Sequence, residues 1–482
     1  MSYRMPWHLI NYRIQKGSIM SDINGILNIA GQALITQQQA ISVTSHNIAN
    51  VNTPGYSRQQ LVMSTNVPSD SAIGPIGNGV SGDSIERIYD RFLNSQINNE
   101  SQELGRWDAQ KKAVETLEMI FNETYGSGLN EAMSEFWNAW QALTNNPAGT
   151  TERQVLATRG QFLATTFNKV DADLTRSQQD LDRTIQGTIA EINRLSQQLA
   201  DLNDKIVASE TGTQTANDYR DKRDLALKEL SELIDIEAFE DANGGFTVLV
   251  GNGQPLVSGT ATWQLSTETN ASGLQEVVWI DDAGGSMNIN SDIAGGKIKG
   301  WLETRDVVIA DYMNRLDTLA QTLTTEVNNL HQSGFALDQS LGLAFFDGTG
   351  TAGDIEVNAN ILGDIGLIAA AADPSAVPGD NRNAIAIADL QHQLVMSGNT
   401  ATFNEYYRTL VSDVGNEVLK SDSYYAHQSE MVAYLDNYRE SISGVSLDEE
   451  MINLIKFQNA YAAAAKLVST ADELFQTVIQ MV

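Results

Sequence analysis

The sequence predicts a mainly α protein with an inserted β domain. Its two chain ends form one α-helical coiled coil, a helical bundle makes the body, and a small β-rich domain lies outermost. Three observations carry this. Apolar residues recur every seven positions at both extremities. Seams at helical spacing fill most of the interior. At about Ile236 the period drops to two and stays so to about residue 300.

At the N-terminal end, Met20 to Ser57 contains no ionisable acid or base other than Asp22 and His46. Gln37, Gln38, Gln39, Thr36, Ser42 and Thr44 interrupt the apolar run, so the segment is no membrane span. Leu27, Leu34, Ile41 and Ile48 recur every seven residues, with Ile23 and Ala30 four before the first two. The stripe is narrow and its surroundings are uncharged. Most helix stability comes from packing, so such a helix needs a partner. The other end supplies one. Leu447, Leu454, Tyr461, Val468, Phe475 and Val482 share the seven-residue period, and Phe457, Ala464, Ala471 and Val478 follow three after the middle four. Residues 20–85, an N-terminal coiled-coil helix with the loop that follows it, and residues 443–482, a C-terminal coiled-coil helix, are therefore expected to supply the two halves of one coil.

The first stripe runs into a loop, Ser45-His46-Asn47-Ile48-Ala49-Asn50-Val51-Asn52-Thr53-Pro54-Gly55-Tyr56-Ser57-Arg58. Asn47, Asn50 and Asn52 are expected to end the helix by adopting left-handed backbone, and Pro54-Gly55 to set a type II turn after Thr53. Tyr56 and Arg58 are expected to point onward for contact. Beyond it, Leu61 to Met63 reads as a strand and the glycines from Gly74 to Gly82 as a loop. Residues 86–235 read as the first half of the helical body. Trp107, Val114, Leu117 and Phe121 make one stripe, and Met133, Phe136, Trp137 and Trp140 another, stopped before Pro147. A helix over 152–172 is followed by a long one over 174–206, seamed by Leu181, Ile185, Ile192, Leu195, Leu199, Leu202 and Ile206; Gly212 breaks it, and 219–233 is helical again.

Residues 236–300 form the inserted β domain, with Phe246, Val248 and Val250 alternating before a Gly251-Asn252-Gly253 turn. Residues 301–442 are the second half of the body. Val307, Tyr312, Leu316, Leu319, Leu323, Val327 and Leu330 face one way, 333–382 is irregular or extended, and Ala384 to Leu394 and Thr402 to Ser441 are helical. Ser446-Leu447-Asp448-Glu449 reads as a capping box for the last helix.

A chain of 482 residues exceeds one ordinary core. The net charge of -31 disfavours nucleic acid and anionic lipid as partners. With no cysteine there is no disulfide, thiolate metal site or cysteine nucleophile. Residues 1–19 lack a signal-peptide apolar region and read as an upstream extension ahead of a natural start at Met20-Ser21. Nothing in the sequence reads as catalytic, cofactor-binding or metal-binding. None of His8, His46, His331, His392 and His427 is followed by Glu, and no G-x-S-x-G or P-loop occurs. Gly77–Gly82 and Gly348–Gly353 match the spacing of a dinucleotide loop, but no βαβ unit surrounds either, so both read as turns. His331 and His427 lie in amphipathic helices and read as satisfied or solvated.

The Ser45–Arg58 loop resembles the signature shared by bacterial flagellar rod, hook and hook-associated axial proteins. Further phrases extend the resemblance over Met20 to Val482: Phe136 to Arg153, Gly295-Gly296-Lys297-Ile298-Lys299-Gly300-Trp301, Ser443 to Glu450, and Phe457-Gln458-Asn459-Ala460-Tyr461. The long helical middle and the C-terminal phrase look like the branch that joins hook to filament. The resemblance implies a structural subunit that polymerises through its terminal helices, with no enzymatic activity. The implied partners are other copies of the chain, the hook protein, a second junction protein, a cytoplasmic export chaperone on the C-terminal helix, and the flagellar type III export apparatus. It also implies secretion without a cleaved leader. The competing expectations are another axial rod or hook protein and, in a different class, a secreted adhesin or hydrolase, which would need a cleft of convergent polar groups.

Overall fold

The computed structural model describes residues 7–71, 74–122, 128–210, 212, 214–241 and 244–480. Residues 1–6 of the expected extension, and Val482 of the C-terminal series, lie outside them.

Helix α1 (Trp7–Ala49) runs without a break through Met20. A hairpin follows: β1 (Gln59–Thr65), a small outer pair β2 (Ser69–Ser71) and β3 (Gly74–Ile76), and β4 (Val80–Arg87), which returns along β1 from Thr65↔Val80 to Gln59↔Arg87. This hairpin lies on α1, where Thr36 Oγ1 donates to Val80 O at 3.3 Å. Only Gly77–Gly79 is the expected turn; Gly74–Ile76 is β3 and Val80–Gly82 already pairs with β1, because the ladder extends the strand through Gly82. Asp90 caps α2 (Arg91–Phe121) by accepting from Leu93 N at 3.0 Å. Next come α3 (Leu129–Asn145) and α4 (Thr150–Ser209).

The sequence suggested a break in α4 near residue 173; there is none, and α4 is one helix of 60 residues. Val170 to Leu174 contains neither Gly nor Pro, and the buried positions Phe167, Val170, Leu174, Ser177 and Leu181 keep step across it. At 1.5 Å per residue it spans about 90 Å, enough to serve two cores in series. The first core joins its N-terminal half to the buried rings of Phe136, Trp137 and Trp140 and to the later helices; the second joins Ile185, Ile192 and Leu199 to α5 (Asn217–Leu233) and the strands.

The β region holds a four-stranded antiparallel sheet, β5 (Ile236–Glu240), β6 (Phe246–Val250), β7 (Gln254–Ser258) and β8 (Ala261–Thr262). Beside it lies a three-stranded one, β9 (Gln264–Thr269), β10 (Gln275–Ile280) and β11 (Ser286–Asn288). Val248, Val250, Val277 and Trp279 pack with α4 and α5 in one core. Each sheet is too small to bury its apolar face alone and uses the helices as its second layer.

Helix α6 (Gly296–Glu303) passes through a wide turn over Thr304–Ile309 into α7 (Ala310–Ser333). The turn has i→i+5 bonding, and the extra residue rotates the seam. Val307, expected inward, is 62% exposed, while Ile309 is fully buried. Within this turn Arg305 is buried; its Nη1 donates to Asp182 of α4 at 2.5 Å and to Gln275 O of β10 at 2.6 Å. It thus fastens the two cores together at the middle of α4.

The irregular stretch holds β12 (Phe346–Asp347), β13 (Glu356–Val357) and α8 (Ala359–Gly363). Its Gly348–Gly353 loop wraps the Asp354 carboxylate, and hydrogen bonds from Thr349 and Thr351 hold that carboxyl down at about 2. The chain ends with α9 (Arg382–Asp389), α10 (Phe403–Ser443) and α11 (Leu447–Gln480).

His331 closes the first core against the irregular stretch. It is fully buried, its Nδ1 bonds to Leu343 O, and its Nε2 accepts from Ala369 N at 3.0 Å. That pairing needs the neutral ring, and burial lowers its pKa from 6.5 to about 4. Between those values the unfolded chain binds a proton that the folded chain refuses. Stability from this group is therefore full above pH 6.5 and falls as pH drops toward 4. Denaturant unfolding should show a loss of about 2 kcal/mol between pH 7 and 5 relative to His331→Gln, which has no such titration; equal pH profiles for the two proteins would refute the assignment.

Candidate functional site

The site is the joint where both chain ends meet the helical body. Asn50 closes α1: its backbone N and its side-chain Nδ2 both donate to His46 O, at 3.1 and 3.0 Å. Contrary to the expectation, Asn47, Asn50 and Asn52 do not take left-handed backbone; in the loop only Gly55 does, at φ +75. A capping side chain does the work that strained backbone was expected to do. Pro54-Gly55 makes the expected turn, with Tyr56 N donating to Thr53 O at 3.2 Å. Thr53 Oγ1 donates to Asn50 Oδ1 at 3.1 Å, while Asn52, Thr53 and Pro54 stand exposed. A Cβ at Gly55 would lie 3.3 Å from Leu225 Cβ of α5, so the turn sits against the body.

Asn47 is the hub. It is buried, and all four of its polar valences are used. Nδ2 donates to Gln59 O at 2.8 Å and to Glu450 of α11 at 3.1 Å; Oδ1 accepts from Gln59 N at 3.0 Å and from the Tyr56 hydroxyl at 2.8 Å. Tyr56 therefore does not point onward. It is half-buried, meets the His46 ring edge-on at 5.6 Å, and its pKa is raised by burial and by the Asp218, Asp221 and Glu450 carboxylates, which keeps the hydroxyl a donor. Arg58 also turns inward. Its Nε donates to Glu450 and its Nη1 to Glu449, each at 2.8 Å, and its backbone N donates to Ser443 O at the end of α10. These contacts correct the capping-box expectation: Ser446 Oγ accepts from Glu449 N at 3.5 Å, but the Glu449 carboxylate goes to Arg58.

The body's side of the joint is the first half of α5. Asp221 accepts from Ser57 N at 2.9 Å, and Asp218 from Gln59 Nε2 at 2.7 Å and His46 Nε2 at 3.3 Å. Arg87, at the foot of the hairpin, bridges Asp221 and Asp224 at 2.9 and 2.6 Å. Burial pushes both carboxyls up, and Arg87 opposes it in each. Sequence reasoning missed Asp218, Asp221, Asp224 and Arg87. The signal was three acids at intervals of three along α5, which share a helical face.

Helices α1 and α11 pack on each other beyond the joint. On α1 the buried positions include Ile23, Ala30, Ala40, Thr44 and Asn47, while Leu27, Leu34, Ile41 and Ile48 lie half-buried beside them. On α11 Glu450, Ala464 and Ala471 are buried, Leu454, Phe457, Val468 and Phe475 are half-buried, and Tyr461 is 40% exposed. The outward side stays apolar: Met451, Ile452, Ile455, Leu467, Leu474 and Ile479 on α11, and Ile26 and Ile35 on α1, are exposed. A cleft of about 790 Å³ lies between α1, β1 and α11, lined among others by Val43, Leu61, Ile452, Lys456 and Phe457. It is a gap in helix packing, with Arg58 and Glu450 already paired at its base.

Three segments match known families: residues 27–56 the flagella basal body rod protein family, 114–346 the flagellar hook-associated protein FlgK helical domain, and 439–481 the flagellar basal body rod FlgEFG protein C-terminal family. Flagellar hook-associated protein 1 of Bacillus subtilis is 32% identical over 495 residues, covering 94% of this chain and 97% of that protein. The Escherichia coli protein of that name is 25% identical over 548 residues, covering 95% of this chain and all of that one. The fold is similar to that of the flagellar hook junction protein FlgK from Burkholderia pseudomallei, with a TM-score of 0.66, 16% identity and coverage of 72% of this chain and 100% of that one.

The joint makes one direct prediction. Arg58→Ala leaves the buried Glu450 carboxylate without a cation and should destabilise the docking of α11 by about 3 kcal/mol. Glu450→Gln, which needs no counter-ion, should cost less than half of that. Hydrogen exchange of the 50–59 and 447–456 amides measures both; equal protection in Arg58→Ala and the parent would refute the role given to this pair.

Proposed function

The chain belongs to the flagellar hook-associated protein 1 family, and we propose that its joint and coil serve one task, packing the terminal helices of many copies into the junction between hook and filament. It is a structural subunit of the bacterial flagellum. The observation that carries the polymer reading is the outward side of the coil. Two helices bury one narrow seam between them and leave a second apolar row, Met451, Ile452, Ile455 and Leu467, in water. A row of that kind on a chain of net charge -31 is a face for further helices, since it holds no like charge to repel them.

In this reading Leu27, Leu34, Ile41 and Ile48 meet neighbouring copies alongside Leu454, Phe457, Tyr461, Val468 and Phe475. The half-burial of most of them suits contacts that finish only in the assembly. Hook protein lies on one side of the ring and the second junction protein on the other. Before assembly the exposed α11 row is an aggregation hazard, which gives a cytoplasmic export chaperone its physical purpose there. Secretion through the flagellar type III apparatus suits a chain without cysteine, which needs no oxidative folding.

Fractionation tests the reading: the protein should copurify with hook–basal body particles and not remain in soluble extract. Deleting Met451 to Val482 should abolish incorporation while the α2–α4 body stays folded by circular dichroism. Leu34→Asp with Ile41→Asp should do the same by placing charge in a dry contact. Normal motility and filament attachment in either variant would overturn the assignment of the coil as the polymer contact.

A further inference from the structure

One row of side chains on α10 has no role in the contacts described so far. Tyr424, His427, Met431, Tyr434 and Tyr438 follow one another at intervals of three and four residues and share a side of the helix. The buried side of α10 is adjacent, and Met431 is drawn into it, half-buried against Leu93, Ile97 and Leu435. Gln428 Nε2 donates to Glu100 O of α2 at 3.0 Å, Leu435 packs with Leu93 and Ile97, and Asp436 takes Lys228 of α5 at 2.7 Å. The row stands away from the α5 side. Tyr434 is 66% exposed and Tyr438 51%, while Tyr424 stacks on Trp107 of α2 at 4.4 Å and is still 49% exposed. From Tyr424 to Tyr438 the row runs about 21 Å. Three of the five tyrosines that stand exposed among the described residues are on it, the others being Tyr219 and Tyr461.

Tyrosine pairs a large apolar ring with a hydroxyl and loses little side-chain freedom on contact, so such a row suits a protein partner. Two facts identify the partner. The row carries no carboxylate, with Glu430 only at its edge, and a second copy of a chain with net charge -31 can approach closely only on such a face. Along the chain the row also leads directly to the coil. Tyr438 lies just before Ser443, where Arg58 ties α10 to the joint, and α11 then continues with the exposed Leu447, Met451, Ile452 and Ile455.

We infer that the Tyr424–Tyr438 row is a second contact between neighbouring copies of this chain, extending the subunit interface from the coil onto the helical body. It rests on the junction reading. The contact is heterologous: the row meets a different surface of its neighbour, as closure into a ring requires.

The test places a photo-crosslinking amino acid at Tyr434 in one strain and at Ile455 in another, and irradiates intact hook–filament particles. The Tyr434 probe should give a covalent homodimer of this chain. Tyr434→Glu with Tyr438→Glu should lower incorporation roughly tenfold or more with an unchanged circular dichroism melt, and Tyr434→Phe with Tyr438→Phe should restore most of it. If Ile455 crosslinks within the particle and Tyr434 gives no adduct, or gives one only with a different axial protein, the inference is overturned and the junction reading stands. If the protein is absent from the particle, both fall.

Discussion

The whole structure depends on one buried polar contact made across nearly the full chain. Asn47 and Glu450 are 403 residues apart in sequence and 3.1 Å apart in space. An apolar seam alone fixes two helices loosely, because sliding by one heptad repeats the pattern. A buried amide with every valence used, facing a buried carboxylate that also needs Arg58, admits one register. The contact adds modest stability and much definition, and it sits where the coil meets the body.

The body is arranged to present that contact. Helix α4 is a stiff member threading two cores, and Arg305 binds them at its midpoint through Asp182 and the Gln275 carbonyl. α5 then stands beside α2 and α4 with Asp218, Asp221 and Asp224 turned to the joint. The loop from Asn50 to Arg58 is short and turns sharply at Gly55 because both its ends are held.

Charge and apolarity are segregated along the molecule. Acids dominate the body, while α1 and the outward rows of α11 and α10 are nearly free of them. A strongly acidic subunit remains soluble alone and still associates with its own kind, provided the contacts fall on uncharged faces. A polymer-forming protein faces both demands, and here each has its own surface.

Much of this was legible in the sequence. The seven-residue series named the coil, the change of period at Ile236 located the strands, and the Pro54-Gly55 turn came out as expected. Local patterns carry such information because backbone geometry fixes which residues share a face. The sequence could not say that Tyr56 and Arg58 turn inward, because their partners, Asn47, Glu449 and Glu450, are joined to them only by the fold. Nor could it separate the buried Ala30 and Thr44 row from the half-buried Leu34 and Ile41 row. Both lie within one amphipathic arc, and the choice depends on where α11 and the hairpin lie. The unbroken α4 and the outward Val307 were likewise decided in three dimensions, by a helix continuous between two cores and a turn widened by one residue. Periodicity determined which elements exist; the tertiary structure alone determined which of their faces are used up within one copy and which remain for another.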